Sequence, residues 1–174
     1  MRILVTGGVR SGKSRHAESL LPADRAVTYV APGPAVEDES DPEWTARIEA
    51  HRSRRPASWT TLETHDLPRA LAVPAPVIVD CLGTWLTAVL DENALWDSPG
   101  SETVSVIGRL LDDVTEALSA RDDVVWVTNE VGLGVVPSHR SGRLFRDLLG
   151  SVNQQIAAAC DEVHLVVAGR VLVL

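Results

Sequence analysis

Lys13 is the single lysine of this 174-residue chain, the other fifteen basic residues being arginines. It stands in Gly7-Gly8-Val9-Arg10-Ser11-Gly12-Lys13-Ser14, which matches the phosphate-binding pattern G-x-x-x-x-G-K-[ST]. A lysine there is a compact point charge that reaches the outer phosphates of a nucleotide, and the glycines let the backbone curl around an anion. The Ser14 hydroxyl is placed as a ligand for Mg2+. The chemistry indicated is binding or transfer at the phosphates of a nucleotide.

Three other clusters carry groups of the right types. Asp80 closes the apolar run Val77-Ile78-Val79, as expected of an acid that holds magnesium opposite such a loop, although an acidic helix cap would read the same way. Thr128-Asn129-Glu130-Val131-Gly132 leaves another apolar run. There Asn129 and Glu130 are suited to orient a substrate hydroxyl, accept its proton or join the magnesium shell, or simply to build the turn before Gly132. His51-Arg52-Ser53-Arg54-Arg55-Pro56 places one imidazole beside three arginines in an acidic chain. Guanidinium forks grip phosphate oxygens and a neutral imidazole is a competent nucleophile toward phosphorus, whereas a solvated helix end would carry the same residues.

The elements that must position these groups alternate between strand-like and helix-like patterns. Strands are expected at Arg2 to Thr6, Ala26 to Ala31, Val77 to Asp80, Val124 to Thr128 and Val163 to Ala168. Weaker strand character lies at Trp59 to Leu62 and Val171 to Leu174. A first helix should follow Lys13. Another should start at Asp41-Pro42, with Asp41 as N-cap, and run to about His51. Helical stripes appear at Val104, Ile107, Leu111, Val114 and Leu118, and at Leu144, Leu148, Val152, Ile156 and Cys160. Asp91 to Ser101 reads as a polar loop. The expected fold is α/β and P-loop NTPase-like, one catalytic domain over residues 1–174, with a mostly parallel sheet and helices on both faces.

Composition narrows the function classes. Sixteen basic against 24 acidic residues leave a net charge of −8, which disfavours a nucleic-acid surface and suits small-molecule chemistry. Cys81 and Cys160 lack metal or redox spacing and read as buried thiols. No apolar run supports a membrane span or an export signal, so a cytoplasmic enzyme is expected.

Read together, the residues resemble the bifunctional adenosylcobinamide kinase / adenosylcobinamide-phosphate guanylyltransferase family of cobalamin biosynthesis. The resemblance runs nearly end to end: Ile3-Leu4-Val5-Thr6-Gly7-Gly8 with Arg10-Ser11-Gly12-Lys13-Ser14-Arg15, Ala46-Arg47-Ile48 before His51, and Arg55-Pro56 and Trp59 after it. It continues through Val127-Thr128-Asn129-Glu130-Val131-Gly132, Phe145-Arg146-Asp147, Val152-Asn153-Gln154 and Asp161-Glu162-Val163. It implies phosphorylation of adenosylcobinamide, then GMP transfer from GTP to the new phosphate through a histidine that matches His51. It also implies that Ala31, Pro32, Gly33, Arg52, Ser53, Arg54, Arg55 and Glu63 line the guanine nucleotide site, and that the protein forms homotrimers. Two departures stand out: Ala50 where some relatives carry a second histidine, and Asp80 where relatives often carry the longer glutamate. The alternatives are a P-loop kinase or nucleoside triphosphatase with one activity, or a regulator that senses GTP without turnover. A switch GTPase would need an Asn-Lys-x-Asp motif, and the sole lysine is already engaged.

Overall fold

The computed structural model describes residues 1–33, 49 and 52–174. The helix expected from Asp41 to His51, His51 itself, and the Ala46-Arg47-Ile48 segment lie outside the described residues. Seven strands form one sheet: β1 (Arg2–Gly7), β2 (Val27–Ala31), β3 (Trp59–Glu63), β4 (Val77–Asp80), β5 (Val124–Asn129), β6 (Glu162–Val167) and β7 (Arg170–Val173). Their spatial order is β3-β2-β4-β5-β1-β6-β7. All neighbours pair in parallel except β6 with β7, which form an antiparallel hairpin at one edge.

Strand alternation explains how two cores arise from one sheet. Successive side chains point to opposite faces, so each apolar run serves both. Leu4, Val77, Val79, Val124 and Trp126 join one buried cluster. Ile3, Val5, Ile78, Val125 and Val127 join the other. The first cluster is closed by α2 (Leu67–Leu71), α3 (Leu82–Glu92), α4 (Gly100–Ser119) and α5 (Arg140–Ala158). The second receives α1 (Lys13–Ser19) through Ala17. The expected helices-on-both-faces arrangement is therefore present. The stripes at Ile107, Leu111, Val114 and Leu118 and at Leu148, Val152 and Ile156 are the buried sides of α4 and α5, whereas Val104 is exposed in the first turns of α4 and Cys160 lies beyond the end of α5.

Some boundaries differ from the sequence expectation. The loop expected from Asp91 to Ser101 is shorter, because Asp91 and Glu92 complete α3 and Gly100 already opens α4. Trp59–Glu63 is a full parallel partner of β2, despite a burial pattern that leaves three of its five residues exposed. Cys81 and Cys160 are unpaired but only partly buried. Burial pushes both thiols up, Cys160 to about 12, which keeps them protonated and unreactive. Among the described residues no helix is long and apolar enough to cross a membrane.

Beneath α1 lies a chain of titratable groups. His16 Nε2 is 2.8 Å from His164 Nδ1, and His164 Nε2 is 2.8 Å from Glu162 Oε2. With the Glu162 carboxylate accepting from His164 Nε2–H, neutral His164 accepts at Nδ1 from His16 Nε2–H. The contact ties α1 to β6. Burial, followed by the neighbouring His164, lowers the pKa of His16 below its usual value. The folded protein then binds fewer protons than the unfolded chain, so this contribution to stability is present above about pH 6.5 and is lost as pH falls toward the lowered folded value. Thermal unfolding should show a melting temperature that drops as pH is lowered from about 7.5 to about 5.5. His16→Gln keeps a donor to His164 but cannot titrate, and should flatten that slope; an unchanged slope would remove His16 from the acid sensitivity.

Candidate active site

Parallel pairing brings the carboxyl ends of the strands to one edge of the sheet, where open α/β sheets bind ligands. Gly7 ends β1 opposite Asn129 on β5 and Val166 on β6. Asp80 ends β4 opposite Val127, and Ala31 ends β2 opposite Glu63. Because β5 inserts between β1 and β4, the Thr128-Asn129-Glu130 exit stands between the phosphate-binding loop and Asp80. The topology therefore gathers Gly7 to Ser14, Ala31 to Gly33, Glu63, Asp80, Asn129 and Glu130 at a single edge.

The loop from Gly7 to Lys13 is built for close backbone approach. A Cβ on Gly7 would sit 2.4 Å from the Val166 carbonyl oxygen and 2.7 Å from Ser11 Oγ, so no larger residue fits there without displacing the sheet. Gly12 takes φ 96° and Arg10 φ 57°, both in the left-handed region, and these two reversals turn the chain back on itself. The Gly169 amide donates to the Ser11 carbonyl at 2.8 Å, so the β6–β7 turn supports the loop from below. Lys13 is 8% exposed, and its Nζ donates to the Gly8 carbonyl at 3.2 Å. The lysine is thus folded over its own loop, with its aliphatic stem packed. Ser14 follows it in the first turn of α1, which also lies against β4.

The β5 exit is held from two sides. Thr128 Oγ1 donates to Asn153 Oδ1 at 2.6 Å, and Asn153 Nδ2 donates to the Asn129 carbonyl at 3.1 Å, anchoring the exit to α5. The Glu130 amide donates to the Gly7 carbonyl at 3.1 Å, while Glu130 Oε1 accepts from the Gly132 amide at 3.0 Å. Glu130 therefore does build the turn before Gly132, with one carboxylate oxygen. Its position beside Gly7 keeps it next to the phosphate-binding loop.

Asp80 receives a hydrogen bond from the Tyr29 hydroxyl at 2.9 Å. Burial, then the adjacent Asp80 charge, raises the Tyr29 pKa well above its usual value, so the phenol stays a donor at neutral pH. Magnesium usually takes one or two carboxylates, waters and substrate phosphates rather than an all-protein cage. A serine hydroxyl on α1 and a single oriented carboxylate on β4 fit that habit. Among the described residues, no group of three or more His, Cys, Asp or Glu could hold a metal ion on its own.

The arginine segment runs from this edge over the sheet toward the last turn of α1. Arg52 forms an ion pair with Glu63 at the end of β3, and Arg54 pairs with Glu18 of α1 at 3.2 Å. Arg55 donates to Thr61 Oγ1 at 2.7 Å and lays its guanidinium 3.3 Å from the centre of the Tyr29 ring. The Ser53 amide donates to the Glu49 carbonyl at 2.9 Å. Gly33 meets Thr84 of α3, where a Cβ would approach to 3.2 Å. Sequence reasoning overlooked Tyr29, Thr61 and Glu18. Tyr29 left one signal, as the only tyrosine of the chain set within an apolar strand.

Residues 3–174 match the family described as "Cobinamide kinase / cobinamide phosphate guanyltransferase". The chain is 41% identical to the bifunctional adenosylcobalamin biosynthesis protein CobU of Salmonella typhimurium, over 97% of each chain. It is 40% identical to the protein CobP of the same description from Pseudomonas aeruginosa, over 97% of this chain and 94% of that one. Among solved structures, it resembles the P4 protein from bacteriophage phi6 in complex with ADP at 17% identity and a TM-score of 0.48, covering 98% of this chain and 53% of that one. The chain is a member of the cobinamide kinase / cobinamide phosphate guanyltransferase family.

Proposed function

We propose that this chain performs both reactions of its family on one substrate: phosphorylation of adenosylcobinamide by ATP or GTP, then guanylyl transfer from GTP to adenosylcobinamide phosphate through a guanylylated His51. The observation that carries the reading is the convergence, on one sheet edge, of the phosphate-binding loop, the carboxylate of Asp80 and the Arg52–Glu63 pair, which brings the segment following His51 to that edge. In the first reaction Lys13 draws charge from the outer phosphates while Glu130 or Asn129 orients the acceptor hydroxyl. In the second, an imidazole nitrogen of His51 attacks the α-phosphorus, forming a P–N bond as the bond to pyrophosphate breaks. A phosphate oxygen of the cobinamide substrate then attacks that phosphorus and returns the imidazole. Ser14 and Asp80 would hold magnesium, which neutralises charge on the departing phosphates when bound.

Ala31 to Gly33, Arg52 to Arg55 and Glu63 serve the nucleotide in this reading. The Arg52–Glu63 and Arg54–Glu18 pairs are exchangeable for phosphate contacts, because exposed ion pairs are individually weak. Incubation with GTP labelled at the α-phosphorus, followed by denaturation, tests the proposal. A covalent label separates it from both a kinase without guanylyl transfer and a GTP-sensing regulator, neither of which leaves one.

A single catalytic domain in the cytoplasm, assembled as a homotrimer, completes the reading. Support for assembly comes from the β6–β7 hairpin, where Val167, Val171, Leu172, Val173 and Leu174 are all more than 40% exposed. An apolar edge strand left open is an aggregation hazard that a subunit contact would remove. Sedimentation should give three times the monomer mass, and Leu172→Glu should shift it toward monomer. An undiminished assembly in that variant would exclude the hairpin as the contact.

A further inference from the structure

Tyr29 is 2% exposed at the centre of the β2 strand, where phenylalanine would fill the same space. Its hydroxyl has a specific task, the 2.9 Å hydrogen bond to Asp80 Oδ2. Its ring has another, as the platform on which Arg55 rests with its guanidinium carbon 3.3 Å from the ring centre. Arg55 is fixed in turn by Thr61 on β3, the strand beside β2. These contacts make a continuous chain across the edge of the sheet: Thr61, Arg55, Tyr29, Asp80. It begins in the segment that follows His51 and ends at the carboxylate of β4. A cation held on a desolvated aromatic face gains more than one in water, so the Arg55 contact restricts the ring and the ring restricts the carboxylate.

We infer that Tyr29 is a positioning residue that aims the Asp80 carboxylate, and that Arg55 acts on Asp80 through it, coupling the arginine segment to the metal-binding edge. The inference rests on the reading of Asp80 as a magnesium ligand. Groups that orient a ligating carboxylate set metal affinity without touching the metal themselves, and their loss costs on the order of 10- to 100-fold. Coupling through a shared group has a distinct signature: the effect of removing Arg55 should shrink once the Tyr29 hydroxyl is gone.

The test uses Mn2+ as a paramagnetic stand-in, titrated into the full-length protein with a non-hydrolysable GTP analogue and followed by EPR. Tyr29→Phe should weaken Mn2+ binding about tenfold. It should leave metal-free nucleotide binding unchanged and lower the melting temperature by no more than a few degrees, the effect of one lost hydrogen bond. Arg55→Gln should weaken Mn2+ binding as well, but by less in combination with Tyr29→Phe than alone. Unchanged Mn2+ affinity in Tyr29→Phe, with Asp80→Asn strongly impaired, overturns the inference and leaves the magnesium reading standing. An unimpaired Asp80→Asn overturns the magnesium reading and the inference with it. Strict additivity of Arg55→Gln and Tyr29→Phe overturns the coupling. A Tyr29→Phe protein that loses melting temperature and metal-free nucleotide binding in the same proportion reduces Tyr29 to packing.

Discussion

Lys13→Met is expected to abolish phosphoryl and guanylyl transfer together while the protein stays folded. Both reactions drive negative charge onto phosphate oxygens at the loop, and removing one aimed donor from such a site costs on the order of 100- to 1,000-fold in turnover. Methionine is the better substitution than alanine because Lys13 is only 8% exposed. Its stem is packed within the loop, and a near-isosteric apolar chain keeps that packing while deleting the ammonium. The lost contact to the Gly8 carbonyl is a single hydrogen bond, worth about 1 kcal/mol. Turnover of each reaction, measured beside the melting temperature, checks the expectation. A folded variant with substantial kinase turnover would remove Lys13 from the mechanism. The uniqueness of Lys13 offers a second check, since amine acylation of the native protein should modify only this lysine and the amino terminus. Saturating Mg-GTP should protect the lysine.

The parts of this site that were legible in the sequence are those in which local chemistry dictates local shape. Gly7, Gly12 and Lys13 form a motif because the loop tolerates no Cβ at Gly7 and needs a positive φ at Gly12. Asp80 was legible as the polar end of a buried strand. The helix α3 was not, since Leu82, Gly83, Trp85, Leu86, Ala88, Val89 and Leu90 are all buried and only the narrow polar stripe Thr84, Thr87 and Asp91 marks its helical period, giving little contrast to read. The shortened loop after α3 follows from the same lack of contrast. Tyr29, Thr61 and Glu18 act through partners 51, 6 and 36 positions away, at Asp80, Arg55 and Arg54. The strand order β3-β2-β4-β5-β1 is what sets Tyr29 beside Asp80, and that order is written in long-range packing rather than in any short window. Glu130 shows another case: its turn reading holds, since its carboxylate accepts from the Gly132 amide, and its own amide bond to Gly7 keeps it beside the phosphate-binding loop, where the proposed role would need it.

His51→Asn should separate the two reactions rather than stop both. Phosphoryl transfer to a hydroxyl requires a positioned acceptor, the metal and Lys13, with no covalent enzyme intermediate, whereas guanylyl transfer by the proposed route requires the imidazole nitrogen itself. The variant is expected to keep measurable formation of adenosylcobinamide phosphate, slowed by any lost nucleotide contact. It should lose both the covalent GMP label and adenosylcobinamide-GDP. The label on the native protein should be acid-labile and stable to base, as a phosphorus–nitrogen bond to imidazole is. Its formation should decline below about pH 6.5, where an ordinary imidazole takes up a proton and loses the attacking lone pair. Competition from other histidines is limited by placement: His16 and His164 are bonded to each other beneath α1, His65 pairs with Glu92, and His139 is the N-cap residue of α5 beside Arg140 and Arg143, whose guanidinium groups donate to backbone carbonyls. Arg52, Arg54 and Arg55 follow His51 closely in sequence and supply three guanidinium groups for phosphate oxygens in the proposed reaction. Mass spectrometry that places GMP on Lys13 or on another histidine, or undiminished guanylyl transfer in His51→Asn, would transfer the nucleophile's role elsewhere and leave the phosphate-binding loop untouched.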